Sequence, residues 1–95
     1  MSAYVVFTRE RVRDKEEFDT YSKMAPGTMA GHEVKAHVVY GKCETLEGPP
    51  IEGAVIIEFP TMEAAKAWYD SPAYQEARIH RFKGADYRMF ITEGI

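Results

Sequence analysis

Ninety-five residues are enough for one domain and too few for two. A net charge of −3 and a pI of about 5.6 leave no basic excess to hold a phosphate backbone, so nucleic acid is not an expected partner. The apolar runs, Ala54–Ile57 among them, are far too short to span a bilayer, and the lone Cys43 excludes an intrachain disulfide and a four-cysteine metal site.

Tyr4-Val5-Val6-Phe7 is apolar and β-prone, which predicts a first strand over residues 3–9, ended by the polar Arg11–Arg13. Met1-Ser2-Ala3-Tyr4 carries no basic stretch followed by an apolar core, so a secretory signal is not expected and the cytoplasm is the default compartment. Asp14 precedes Glu17 by three residues, a capping pair for a helix over about 14–25, with Phe18 and Tyr21 on its buried side. Pro26-Gly27 ends or kinks that helix, and a further turn through Thr28–Ala30 can follow.

Residues 34–40 alternate, which predicts a second strand running on towards Cys43 or Thr45. Val34, Ala36, Val38 and Tyr40 share one face; Lys35, His37 and Val39 share the other. Gly48-Pro49-Pro50 is a turn. Ala54–Phe59 is a third strand, with Val55, Ile57 and Phe59 opposite Ala54, Ile56 and Glu58. Thr61 caps a helix whose apolar stripe is Met62, Ala65, Trp68 and Tyr69. Ser71-Pro72 opens another at once, with Tyr74, Ala77 and Phe82 as its buried positions and Gly84 as its stop. Ala85–Thr92 is the last strand.

The order βαββαβ predicts an α+β, ferredoxin-like domain over residues 1–95: a four-stranded antiparallel sheet with its helices on one face. The other face carries enough apolar residues that leaving it wet would be expensive, at ~25 cal/mol per Å². Packing two such sheets face to face in a two-fold homodimer is the simplest remedy. Five Phe, six Tyr and one Trp are many for so short a chain, which suggests a rich core, a pocket or an interface.

Glu58-Phe59-Pro60 and the run Ala64-Ala65-Lys66-Ala67-Trp68-Tyr69-Asp70-Ser71-Pro72-Ala73-Tyr74-Gln75 resemble the signature of a widespread bacterial family, domain of unknown function 1330. Leu46-Glu47-Gly48 and the closing Glu93-Gly94-Ile95 resemble it too. The resemblance implies a dimeric α/β barrel, in which two ferredoxin-like protomers pair their sheets. It implies no reaction. Other families on that fold include small monooxygenases, muconolactone isomerase-like enzymes and haem-degrading enzymes. Relatives often carry Arg-Gly-Gly in strand two, where this chain has Val39-Tyr40-Gly41, so a ligand class is not transferred with the resemblance.

His32, His37 and His80 show neither i, i+4 spacing nor an HExxH motif, so no metal site is expected. No glycine-rich phosphate loop and no serine-hydrolase elbow appears, and no cofactor is expected. His37 is the candidate general acid or base if its strand face lines a cavity; the alternative is a histidine at a rim or in solvent. Glu58 lies between apolar residues, so its carboxylate needs either a partner, for which Arg88 is the candidate, or a raised pKa. Tyr4 and Tyr40 could orient a polar ligand, because a buried phenol seeks a partner. Trp68 and Arg88 are further candidate ligand contacts, Trp68 against a reading as core packing with Tyr69 and Tyr74. His80, within Arg78-Ile79-His80-Arg81, reads as part of a solvated helical face, and Cys43 has no neighbour to activate it.

Three functional readings follow. The first is a homodimer that binds a small, partly apolar organic molecule between sheet and helices. As an enzyme it would work without metal or nucleotide, by isomerisation or cofactor-free oxygenation, with His37 and Glu58 moving protons. The second is a non-catalytic interaction module with a barrel filled by its own side chains and Glu58 paired with Arg88. The third is a haem protein with His37 as axial ligand.

Overall fold

The computed structural model describes residues 2–95. Four strands, β1 (Ala3–Val12), β2 (Lys35–Val39), β3 (Gly53–Phe59) and β4 (Ala85–Glu93), form one antiparallel sheet in the order β2-β3-β1-β4. Three helices, α1 (Lys15–Met24), α2 (Met62–Tyr69) and α3 (Pro72–Gly84), cover one face. This is the expected ferredoxin-like α+β architecture, with an open sheet.

The caps are those the sequence signals. Asp14 Oδ1 accepts from the backbone N–H groups of Glu16 and Glu17 at 3.1 and 3.3 Å, Thr61 Oγ1 from that of Ala64 at 3.0 Å, and Ser71 Oγ from that of Tyr74 at 3.3 Å. Each satisfies an otherwise orphaned donor. After α1, Ala25–Met29 forms a short 3-10 helix rather than starting at Thr28. Pro26 sits in its first turn, where a missing N–H costs nothing.

Four expectations are corrected by local chemistry. β1 does not stop at Arg9. A bulge at Glu10 resets the register, and the strand continues to Val12 against the start of β4. The arginines that look like a strand end are its clamp: Arg11 and Arg13 Nε each meet Asp86 at 2.7 Å. In β2, residues Ala36 and Val38 oppose Ile57 and Ile56, so His37 is an extra residue that flips the alternation beyond it. Val39 therefore joins Ala36 on the helix-facing side, and Val38 joins Lys35 and His37 on the outer side. β2 then stops at Val39, because Tyr40 adopts a left-handed φ of 55°, a conformation costly for a non-glycine residue. On α3 the buried positions are Tyr74, Ala77, Arg81 and Gly84, while Phe82 is exposed. Steps of 3, 4 and 3 residues hold one helix face, and Phe82 is turned about 120° from its centre.

The core lies between the sheet and the helices. Val5, Phe7, Ile57 and Phe59 from the sheet meet Tyr21, Ala65, Trp68, Tyr74 and Ala77 from the helices. Trp68 is fully buried, with its ring centroid 4.2 Å from that of Tyr74 and 5.5 Å from that of Phe59. Gly84 permits a close approach: a Cβ there would stand 2.6 Å from the Phe18 backbone nitrogen.

Asp86 gives the fold a pH dependence of known sign. The hydrogen bond from Arg11, more than that from Arg13, holds its carboxyl below the usual carboxylate range. A carboxyl with a depressed folded-state pKa stabilises the fold above its unfolded value, near 4, and that contribution is lost as pH falls from there through the depressed value. Asp86→Asn is expected to unfold at lower urea than the wild type at pH 7, by a gap that narrows steadily as the pH falls below about 4. A gap that stays constant with pH would exclude the clamp as its origin.

Candidate functional site

A pocket of about 410 Å³ opens between the helix-facing side of the sheet and the segment that runs from α1 into the 3-10 helix. Ala36, Val39, Val55, Ile57 and Phe7 form its sheet wall, Tyr21, Ala25, Pro26 and Met29 its helical wall, and Trp68 its floor. No acidic, basic or histidine side chain lines it. The His37 bulge completes this wall, since without it Val39 would face the other way.

The hydroxyl groups of the pocket lining are those of Tyr21, Tyr40 and Ser22, and the two phenols are tied to further phenols. Tyr40, at the mouth, leaves β2 in its left-handed turn and lays its ring on Gly53, where a Cβ would come within 2.8 Å of that ring. Its hydroxyl is hydrogen bonded to that of Tyr87 on β4. The Arg9 guanidinium stacks on the Tyr40 ring at 4.6 Å and on Phe18 at 5.0 Å, and it pairs with Glu52 at 3.2 Å. Deeper in, the Tyr21 and Tyr74 hydroxyls share a hydrogen bond of 2.9 Å. Burial, more than any other cause, raises Tyr21, Tyr74 and Tyr87 above the usual phenol value, so all three are neutral phenols at physiological pH.

The structure divides the sequence-derived candidates into three groups. Tyr40 and Trp68 line the pocket. Trp68 is also core: its Nε1 donates to Thr28 Oγ1 at 3.1 Å, which ties α2 to the 3-10 helix. Tyr4, His37 and Glu58 lie together on the outer face of the sheet, where Lys35 and Tyr4 flank Glu58 across the strands. His37 Nε2 and Glu58 Oε1 are 2.6 Å apart, and the Tyr4 and His37 rings are 6.0 Å apart. Arg88 stands alone at the other end of the outer face, opposite Thr8, with Glu10 as its partner at 3.6 Å.

The expected Glu58–Arg88 pair is therefore replaced by Glu58–His37. Four residues along β1 separate Tyr4, beside Glu58, from Thr8, beside Arg88, which is roughly 13 Å of strand. Nor is the Glu58 pKa raised. The hydrogen bond from His37 holds it below the usual carboxylate range. His80 is not fully solvated either, because its Nδ1 meets Glu17 on α1 at 2.7 Å.

Reading the sequence alone missed Arg9, Tyr21, Arg81 and Tyr87. Arg9 and Tyr87 face each other across β1 and β4, on the side that strict alternation from Phe7 and Met89 assigns to the helices, so their facing was legible. Arg81 lies seven residues from Tyr74 on the buried stripe of α3, a spacing that was also available. Among the described residues, no group of three or more His, Cys, Asp or Glu converges as a metal site, and no helix is long and apolar enough to cross a membrane.

The domain of unknown function family DUF1330 matches residues 2–95. The chain belongs to this family. No curated protein matches it. Among solved structures, this DUF1330 chain is similar to a protein of unknown function from Rhodopseudomonas palustris, with a TM-score of 0.75 and 17% identity over 99% of this chain and 83% of that one. It is also similar to a dimeric protein of unknown function and ferredoxin-like fold from Bacteroides fragilis, with a TM-score of 0.65 and 12% identity over 98% and 96% of the two chains. A third is SnoaB, a cofactor-independent oxygenase from Streptomyces nogalater, with a TM-score of 0.64 and 7% identity over 99% and 92%. At these identities the likeness is one of fold.

Proposed function

We propose that this DUF1330 protein is a homodimer that binds a small, largely apolar organic molecule in the pocket between its sheet and its helices. The observation that carries this reading is the pocket itself: about 410 Å³, walled by aliphatic and aromatic side chains, with phenols as its main polar groups. That size and lining are those of small-molecule sites in general. A filled-barrel module predicts no such space, and a haem protein needs an axial ligand in it, whereas His37 lies on the outer face against Glu58.

In this reading the ligand lies against Tyr40 and over the floor that the buried Trp68 supports. His37, Glu58 and Tyr4 belong to the surface through which two sheets pair. Since no carboxylate or imidazole lines the pocket, any reaction there proceeds on a substrate that supplies its own reactivity. Isomerisation and cofactor-free oxygenation are the reactions to try first, the second by analogy with the oxygenase of the same fold.

The lone tryptophan lies at the pocket floor, so its fluorescence reports occupancy. Titration with 2-naphthamide, a flat neutral probe, is expected to change the Trp68 signal saturably. Val55→Phe, which projects a ring into the pocket, is expected to weaken binding roughly tenfold or more. An unsaturable response, or equal affinity in both proteins, would place any binding elsewhere.

A further inference from the structure

Arg81 is the most unusual side chain of the interior. It is 3% exposed, and its Nε has no hydrogen-bond partner. It enters none of the ion pairs among the described residues. Its guanidinium rests instead against the rings of Tyr87 and Phe82, at 5.2 and 4.9 Å from their centroids. A buried cation without a carboxylate is costly unless something else answers its charge.

The helix shows where that charge is directed. Tyr74, Ala77 and Arg81 lie on one stripe of α3. Helical side chains lean towards the N-terminus, so Arg81 extends over the small Ala77 towards Tyr74. The cation opposes the effect of burial on both Tyr74 and Tyr21. A guanidinium has donors and no acceptor. Beside it, the Tyr74 and Tyr21 hydroxyls lie 2.9 Å apart, and either can donate to the other. With an oxyanion in the pocket, the pair settles with Tyr74 donating to Tyr21 and the Tyr21 hydrogen donated to the ligand. Tyr21 lines the pocket, where no acidic side chain stands to accept it.

We propose that the row Arg81, Tyr74, Tyr21 forms a polarised donor for an oxyanion of the ligand, so that the pocket selects a flat apolar molecule bearing a carboxylate, enolate or phenolate oxygen. Tyr21 is the residue that touches the ligand. Tyr74 and Arg81 act through it as positioning residues, each donor strengthening the next. The arrangement supplies both things an anion needs in an apolar pocket: a direct hydrogen bond and an uncompensated positive charge behind it. This inference rests on the pocket reading above and deepens it.

The test compares 2-naphthoate with 2-naphthamide, two probes of one shape and different charge, by calorimetric titration at pH 7. The wild type is expected to bind the carboxylate roughly tenfold or more tightly than the amide. In Tyr21→Phe and in Arg81→Met that ratio is expected to fall to about one, and Arg81→Lys is expected to restore part of it. A residue with a merely structural role would weaken both probes together and leave the ratio unchanged. Equal wild-type affinities overturn the oxyanion inference and leave the pocket standing, an outcome that needs no variant to fold. Binding of neither probe overturns both.

Discussion

Trp68→Ala is expected to remove about 3–5 kcal/mol of stability, the usual range when a fully buried large aromatic is truncated. The indole is fully buried between Phe7, Phe59 and Tyr74, and no neighbour can collapse into its space without leaving its own contacts. A domain of this length has roughly 5–14 kcal/mol in all. The variant is therefore expected to melt roughly 15–30 °C below the wild type, as followed by circular dichroism. Trp68→Phe separates two contributions. It keeps most of the ring contacts and loses the Nε1 hydrogen bond to Thr28, so its cost is expected to be about 1–3 kcal/mol. That bond fixes the 3-10 helix whose residues wall the pocket, so this variant is also expected to bind 2-naphthamide more weakly. A Trp68→Ala protein as stable as the wild type would mean that α2 does not seat its indole in the core.

The same residue shows how far the sequence could be read. Strand and helix order, all three caps and the antiparallel ferredoxin-like sheet follow from periodicity and capping chemistry, because those rules act over a few neighbouring residues. Trp68 and Tyr74 were legible as core for the same reason. What failed was long-range or cumulative. A single extra residue at His37 reverses the facing of everything after it in β2, and alternation alone gives no sign of such a bulge. With that reversal Val39 moves to the pocket wall while His37 and Glu58 stay outside, so the acid-base candidates lie on the face opposite Tyr40 and Trp68, together with Tyr4 and Arg88. The Glu58–Arg88 pair failed along the strand axis, since which end of a sheet a residue occupies depends on register rather than on facing. Arg81 was set aside because charge is normally taken as a sign of exposure. The helical period placed it with Tyr74 and Ala77, and here the period prevailed over the charge.

Charge on the outer face of the sheet should undo the proposed dimer. Val38, Ile56, Val6 and Phe90 are successive cross-strand partners and form one apolar row over all four strands. The rows on either side of it are polar or small: Glu58, Tyr4 and Thr92 on one, Ala54, Thr8 and Arg88 on the other. Phe90 is 52% exposed in the isolated protomer, a large ring to leave in water. A two-fold axis through this face would lay the row against its own copy and keep the His37–Glu58 pair near the rim. Ile56 sits at the centre, between Val6 and Val38. An aspartate there buries an unpaired charge, at roughly 3–5 kcal/mol, and the symmetry imposes it twice, for about 6–10 kcal/mol per dimer. Ile56→Asp is thus expected to run as a monomer in analytical ultracentrifugation at concentrations where the wild type is dimeric. Its protomer should remain folded, because Ile56 faces away from the core. Arg88→Ala, beyond the apolar row and 82% exposed at its side chain, should leave the dimer intact. An Ile56→Asp protein that still sediments as a dimer would move the interface off the sheet, and His37 and Glu58 would lose their place in it.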